Sequence, residues 1–368
     1  MRYYLIAGEA SGDLHGANLA REIIRQDPDA DIRFWGGDNM AEVIGHQPVK
    51  HIRDLAFMGF VEILMNLRVV LGNIKWCKAD IERFAPDVLV FVDYPGFNLR
   101  IAEFGHKLGI KMAYYISPQL WAWKAGRVKK IKAWIHEMIC ILPFEVEWYK
   151  KHDVEVKYVG HPLLDVVRQL ETKGNKATFE KAPIAIVPGS RKQEISKMLP
   201  VMLQAASHFP EEQFVVTGAP AVPREFYEPY LSDAENIQLV FGQTHELMLA
   251  AKAAMVTSGT ATLETALFNT PEVVCYKGSS ISVWLAKKLI KVKYISLVNL
   301  ILDYKLVEEL IQSDFEEKRL AAELRSILFE NKGEQILEGY KALRTKLGEH
   351  GASKRAAEHV VGLANPAY

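Results

Sequence analysis

Residues 1–16 read MRYYLIAGEASGDLHG, and this stretch sets the fold. Tyr3–Ala7 is a short apolar run rich in strand formers. It breaks at Gly8 into a loop with glycines at positions 8, 12 and 16, and a helical pattern follows. A strand feeding a glycine-rich turn and then a helix is the opening of a β-α-β chain. The same succession recurs to the far end. In the first half the runs are Tyr3–Ala7, Ile32–Trp35, Asp87–Val92, Lys111–Ile116, Met138–Leu142 and Val156–Val159. In the second they are Pro183–Val187, Gln213–Thr217, Ile237–Phe241, Ala253–Thr257 and Glu272–Tyr276. Strands apolar on both faces and separated by helices belong in parallel sheets covered on both sides. The polar segment Glu171–Lys181 (ETKGNKATFEK) has no apolar period and reads as a linker. The expected architecture is α/β, with two doubly wound domains facing a cleft, at 1–170 and 182–345 around a 171–181 linker. Lys318–Ala364 is helical by period and ends in a C-terminal helix assigned to 346–368.

The bulk properties narrow the class. The 368 residues are 49% hydrophobic and 24% charged, which suits a globular protein of about two domains. Forty-five basic residues balance forty-five acidic ones, so there is no excess of positive charge to grip nucleic acid. Cys77, Cys140 and Cys275 are odd in number and show no CxxC spacing, which fits a reducing compartment rather than a disulfide scaffold or zinc ribbon. No run of about 18 uncharged apolar residues argues for a spanning helix, and Met1–Ala7 lacks the long apolar core of a signal peptide, so a cytoplasmic location is expected.

In doubly wound sheets, ligands bind outside the carboxyl ends of the strands, so the loops after each run are the places to look. GEASGDLHG (8–16) puts Glu9, Asp13 and His15 within seven residues at a helix start, where free N–H groups favour an anion. It is neither GxGxxG nor a phosphate loop with Lys-Ser/Thr. The structural alternative is a turn capped by Ser11 or Asp13. SGTATLE (258–264) offers small residues, hydroxyls and a helix dipole to a diphosphate, with Glu264 one turn in to accept from ribose hydroxyls. Its alternative is an ordinary Ser/Thr cap. In the same half, Pro188-Gly189-Ser190-Arg191 adds a guanidinium able to fork onto phosphate oxygens, the alternative being a surface arginine. Asp93 closes a wholly apolar strand, where partial burial suits a general base; otherwise it is a turn carboxylate ahead of Pro95-Gly96.

Other signals fail. His136-Glu137 and His245-Glu246 begin like HExxH, but Cys140 and Leu249 stand at the second histidine positions. Asp27, Asp29 and Asp31 read as a solvated turn, and GxSxG is absent. Phe60–Trp76 is apolar over more of its circumference than a surface helix needs. Lys124, Arg127, Lys129, Lys130 and Lys132 cluster beside Trp121 and Trp123, and Ile281–Tyr294 is a second basic amphipathic stretch. Together these suit an anionic lipid interface.

GEASGDLHG, MGFVEIL (58–64), DYPGFN (93–98), SPQLWAWKAGRVKKIK (117–132), ILPFE (141–145), GHPLLD (160–165), PGSR, SGTATLE and SLVNL (296–300) occur in an order, and over nearly the whole chain, that resembles the lipid A disaccharide synthases. The resemblance implies a glycosyltransferase B-type fold of two Rossmann-like domains, the first facing acceptor and membrane, the second binding the UDP-sugar. It implies an inverting transfer from UDP-2,3-diacylglucosamine to 2,3-diacylglucosamine 1-phosphate, giving a β-1,6-linked disaccharide and UDP without a metal or other cofactor. It also implies work at the inner face of the cytoplasmic membrane, with the final helix crossing back to the first domain. A homo-oligomer is compatible with all of this.

On this likeness Asp93 matches the base, with His15 a competing candidate. Gly189, Ser190, Arg191, Ser258, Gly259, Thr260, Glu264 and Asn299 fall on the UDP side, and Glu9, Ser11 and Asp13 on the acceptor side. Phe60, Leu64, Leu67, Trp121, Trp123, Lys129 and Lys130 would meet the membrane. One departure stands out: many members of the family carry Asp-Phe-Asn after Asp-x-Pro, and this chain has Gly96-Phe97-Asn98, so Asp93 is the sole carboxylate in its loop. The rival readings are a UDP-sugar 2-epimerase of the same fold, which needs no lipid-facing helix, and a non-catalytic nucleotide-sugar binder, which needs no Asp93. A Rossmann dehydrogenase is weaker still, for want of GxGxxG.

Overall fold

The computed structural model describes residues 1–55, 67–123, 125–173, 179, 181–231, 235–278 and 293–365. The chain divides into two compact units, Met1–Asp165 with Glu349–Tyr368, and Val166–Gly348. The first crossing runs through the helix Leu163–Lys173, which overlaps the start of the segment expected as a linker.

The first unit is a seven-stranded sheet of β1 (Arg2–Ala7), β2 (Asp31–Gly36), β3 (Lys50–His51), β4 (Val88–Val92), β5 (Lys111–Tyr115), β6 (Glu137–Cys140) and β7 (Lys157–Tyr158), in the order β3-β2-β1-β4-β5-β6-β7. Every described pairing is parallel, and β1 and β4 run in register from Tyr3 opposite Val88 to Ala7 opposite Val92. Val88, Leu89, Val90, Phe91 and Val92 are all inaccessible to solvent, because helices cover both faces. Burying each such side chain stabilises the sheet by roughly 1.5–3 kcal/mol. The helix Leu67–Phe84 is anchored by its inner residues Ile74, Cys77 and Ile81 and by buried Asp80. Asp80 accepts from Tyr4 Oη at 2.8 Å and from Arg33 Nε and Nη2 at 2.7 Å each.

The last helix, Ala352–Ala364, completes this unit by packing on Ala10–Gln26 and on β4, β5 and β6. The Asp165 carboxylate accepts the N–H groups of Gly351 and Ser353 at its start, and Arg355 donates to the Val159 carbonyl.

The second unit holds six parallel strands, β8 (Ile184–Val187), β9 (Phe214–Gly218), β10 (Ile237–Phe241), β11 (Ala253–Thr257), β12 (Glu272–Tyr276) and β13 (Glu308–Ile311), ordered β10-β9-β8-β11-β12-β13. This repeats the 3-2-1-4-5-6 plan of the first six strands of the other sheet, the doubly wound order of dinucleotide-binding folds. Two strands escape the sequence reading. β3 has only two residues, and β13 opens with Glu308-Glu309, an edge strand with a weak apolar signature. The strandless tail beyond it is three helices, Glu317–Phe329, Lys332–Leu347 and Ala352–Ala364.

Candidate active site

In each sheet the strand order reverses once in the interior, between β1 and β4 and between β8 and β11, and the crevice at that reversal is where such folds take ligands. The loops after these four strands are 8–16 and 93–98 in the first unit, and 188–191 and 258–264 in the second. The sequence motifs therefore fall at the two switch points.

In the first unit Gly8 lies against the ring of Tyr94. A Cβ at position 8 would come within 2.2 Å of Tyr94 Cδ1, so only glycine allows this approach. Asp93 and Tyr94 both hold left-handed backbone, with φ of 47° and 50°. Non-glycine residues there cost about 1–3 kcal/mol each and persist only when neighbours enforce them. Here the Asp93 carbonyl accepts from Asn98 Nδ2 at 2.7 Å and Tyr114 Oη at 2.5 Å, and its N–H donates to the Tyr115 carbonyl at 3.1 Å. The turn sets the carboxyl in a half-buried position. Desolvation, with the charge of Glu9 second, pushes it up to about 6.

The helix Ala10–Gln26 begins at Glu9 with no side-chain cap, so neither Ser11 nor Asp13 closes it. Ser11 and Glu9 are exposed. Asp13 instead turns inward at 1% exposure. It accepts from Gly37 N at 2.6 Å, Asn39 N at 3.1 Å, Asn39 Nδ2 at 2.8 Å and Met40 N at 3.2 Å, and so holds the start of the helix Asp38–Ile44. His15 has a buried, unpartnered Nδ1, and burial pushes its imidazole down to about 4. His161, absent from the sequence reading of the site, is buried within electrostatic reach of His15 and held down to about 3 by desolvation and by that neighbour. Its Nδ1 accepts the Leu163 N–H at 3.3 Å. The only sequence signal for it was the GHPLLD motif itself.

In the second unit the two loops line one cavity of about 330 Å³, with Gly189, Ser190, Arg191, Ser258, Gly259 and Thr260 in its wall. Gly189 has φ 114°, and a Cβ there would meet Glu194 at 2.9 Å. Arg191, with a side chain 56% exposed, forms an ion pair with Glu194 at 3.2 Å, and Glu194 also accepts the Ser190 N–H at 3.2 Å. The helix Thr260–Leu267 starts at Gly259 with no side-chain cap. Ser258 Oγ points elsewhere, donating to the Ile295 carbonyl at 3.1 Å. The helix therefore presents main-chain N–H groups rather than a closed cap, which suits an anion. Glu264 lies outside this wall. Burial raises its pKa, and His245 Nε2 lies 3.9 Å from Oε2. Glu194, Thr217, Gly218 and Thr244 also line the cavity and escape the sequence reading, because nothing in their local sequence marks them. Asn299 is fully buried and occupied. Nδ2 donates to Val307 O and Glu309 Oε1, and Oδ1 accepts from Leu306 N and Val307 N.

Of the residues expected to meet a membrane, Phe60 and Leu64 lie outside the described residues, as do the side chains of Leu67 and Trp123 and residues 281–292 of the basic stretch. The described helix there runs Leu67–Phe84 and exposes Val69, Leu71 and Trp76 at 45%, 55% and 41%. Lys129 and Lys130 are exposed on Val128–Trp134. Trp121 is half-buried, its ring edge-on to Phe144 and its Nε1–H donated to Glu145 at 3.3 Å. Among the described residues no helix is long and apolar enough to cross a membrane, and no group of three His, Cys, Asp or Glu side chains is placed to hold a metal ion.

The family profile described as lipid-A-disaccharide synthetase matches residues 3–361. A lipid-A-disaccharide synthase of Syntrophus aciditrophicus is 39% identical over 366 residues, 96% of this chain and 95% of that protein. One from Trichlorobacter lovleyi is 38% identical over 98% of this chain and 97% of its own. Among solved structures, a UDP-GlcNAc 2-epimerase from Neisseria meningitidis bound to UDP-GlcNAc superposes with a TM-score of 0.71 at 13% identity, covering 98% of this chain and 100% of its own. MurG from Acinetobacter baumannii gives a TM-score of 0.59 at 11% identity, with 98% and 99% covered. At these identities the structural likeness speaks for the glycosyltransferase B-type fold alone.

Proposed function

The chain belongs to the lipid-A-disaccharide synthetase family, and from that premise we propose how its residues divide the work of a UDP-sugar-dependent glycosyl transfer. The activity is the joining of two glucosamine-based sugars into lipid A disaccharide, with UDP as leaving group. The epimerase reading is not favoured, since it rests on fold likeness without sequence likeness.

The observation that carries the assignment is Asp93, a carboxyl held by a strained turn at a switch point and pushed up to about 6. A base of that strength is ionised at neutral pH and still basic enough to take a proton from a sugar hydroxyl in the transition state. In a single displacement the acceptor's 6-hydroxyl oxygen bonds to the anomeric carbon of the donor and its proton passes to Asp93. The bond from that carbon to the phosphate oxygen breaks, and the electron pair leaves with UDP. The configuration at the anomeric carbon inverts. His15, pushed down to about 4, stays neutral throughout and is a weaker base than Asp93. In the second unit Arg191 and the N–H groups of Gly259 and Thr260 would take the negative charge gathering on the diphosphate, which gives the leaving group positive partners without a metal ion.

We place the acylated acceptor with the first unit and the acylated UDP-glucosamine donor with the second. Exposed Val69, Leu71 and Trp76, with Lys129 and Lys130, support contact of the first unit with an anionic membrane surface. Glu9 and Ser11 are free to meet the acceptor, whereas the Asp13 oxygens are already taken. Mass-spectrometric product analysis tests the reading. Protein in detergent and EDTA receives both acylated glucosamine substrates, and UDP-GlcNAc alone in a parallel reaction. Acylated disaccharide 1-phosphate plus UDP is the expected product. Epimerised UDP-GlcNAc and no disaccharide would overturn the assignment, and UDP binding without turnover in either would leave a binding protein.

A further inference from the structure

The ILPFE motif carries a carboxylate that the transfer chemistry does not use. Glu145 is the third residue of the helix Pro143–Lys150, and its Oε2 accepts the Leu142 N–H at 3.1 Å, the reach-back of a capping box. That task is ordinarily done by an exposed side chain. Glu145 is 1% exposed, and burial pushes its carboxyl up to about 7. Placing it so deep is costly and calls for a second use of the group. The second use is visible, since Oε1 accepts the indole N–H of Trp121 at 3.3 Å.

The same helix fastens the rest of the 117–123 loop. Tyr149 Oη lies 2.9 Å from Ser117 Oγ, the Phe144 ring stands edge-on to Trp121 at 4.9 Å, and Leu120 is sunk in the same core as Tyr149. The loop leaves the end of β5 through Ile116, which has φ 65°, and β5 is the strand hydrogen-bonded to Asp93 through the Tyr115 carbonyl. The 117–123 segment thus leaves directly from the strand bonded to Asp93, and Glu145 is its buried fastening.

We propose that Glu145 is a positioning residue for the acceptor sugar, acting through Trp121 to hold the 117–123 loop in the shape that seats the acceptor beside Asp93. The proposal rests on the placement of the acceptor with the first unit. Glu145 touches no reacting atom, and the donor cavity belongs to other loops.

The test is steady-state kinetics on the full chain with the acylated glucosamine 1-phosphate and the acylated UDP-glucosamine. The variants are Trp121→Phe, which keeps an aromatic ring and removes the N–H, Glu145→Gln, and the pair together. Loss of one hydrogen bond to a buried carboxylate should raise the acceptor KM about tenfold. The donor KM and the UDP dissociation constant should stay unchanged, and the pair should do no worse than the more severe single change, since Gln keeps one acceptor oxygen for the two N–H groups and Trp121→Phe leaves that oxygen only the Leu142 N–H to serve. An unchanged acceptor KM in Trp121→Phe, or parallel rises in both KM values, would overturn the proposal. Should Glu145→Gln fail to fold, Trp121→Phe decides alone. Wild-type protein that makes no disaccharide would overturn the functional reading and this proposal with it, whereas active wild-type protein with an indifferent Trp121→Phe would overturn this proposal only.

Discussion

The two switch points are built on one strand order and furnished in opposite ways. Between β1 and β4 the crevice is edged by titratable groups whose ionisation the fold has moved: Asp93 upward and His15 downward, with Glu9 beside Asp93 and His161 within electrostatic reach of His15. Between β8 and β11 it is edged by glycines, hydroxyls, an uncapped helix start and one guanidinium. On the proposed assignment the first moves a proton and the second holds negative charge. Topology fixes where a ligand site lies, and the loop residues fix what it does there.

Asp93→Asn should have the largest effect, lowering kcat by about 10²–10⁴-fold while UDP binding, read by calorimetry, stays as in the wild type. The same variant should melt at a higher temperature, because a carboxylate raised to about 6 is a net cost to the folded state once pH exceeds its unfolded value. Near-normal turnover would give the base role to another group and erase the contrast. Arg191→Ala comes next, with kcat/KM down by about 10²–10³-fold and UDP bound about tenfold more weakly, because its loss falls on charge stabilisation. If UDP affinity did not move, the second crevice would lose its role.

A pH profile sharpens the comparison further. Below about pH 6, kcat/KM should fall tenfold per unit as Asp93 takes up a proton, and the limb should vanish in Asp93→Asn. A limb near 4 would point to His15 instead. Asp13→Ala should act on stability alone. It leaves four N–H groups without their acceptor, costs about 2 kcal/mol by denaturant unfolding, and leaves UDP affinity untouched. A raised acceptor KM at unchanged stability would restore Asp13 to the acceptor side.

The parts of the molecule legible in the sequence were those whose signal is local. An uninterrupted run such as Val88–Val92 announces a strand covered on both faces, and Gly8, Gly189 and Gly259 mark the turns that follow. What stayed hidden depends on partners far along the chain. Asp13 looks like a helix-start carboxylate until Gly37 and Asn39 arrive to claim it. Asn299 sits in a motif yet spends both ends of its amide on Val307 and its neighbours. Glu145 looked like part of a motif with no task, because Trp121, its second partner, lies 24 residues away. β13 was missed because its leading glutamates mask a strand whose pairing with β12 only tertiary contact reveals.

The helix Ala352–Ala364 bears on how the protein is made. Its apolar residues Ala356, Ala357, Val360 and Val361 are buried on the first unit, although the chain reaches them only after the whole of Val166–Gly348. On a ribosome adding about 5–20 residues per second, the first unit therefore waits on the order of tens of seconds with that docking surface bare. During that interval most of the second unit is made and can begin to fold. The first-made half of the molecule is thus among the last parts to be finished.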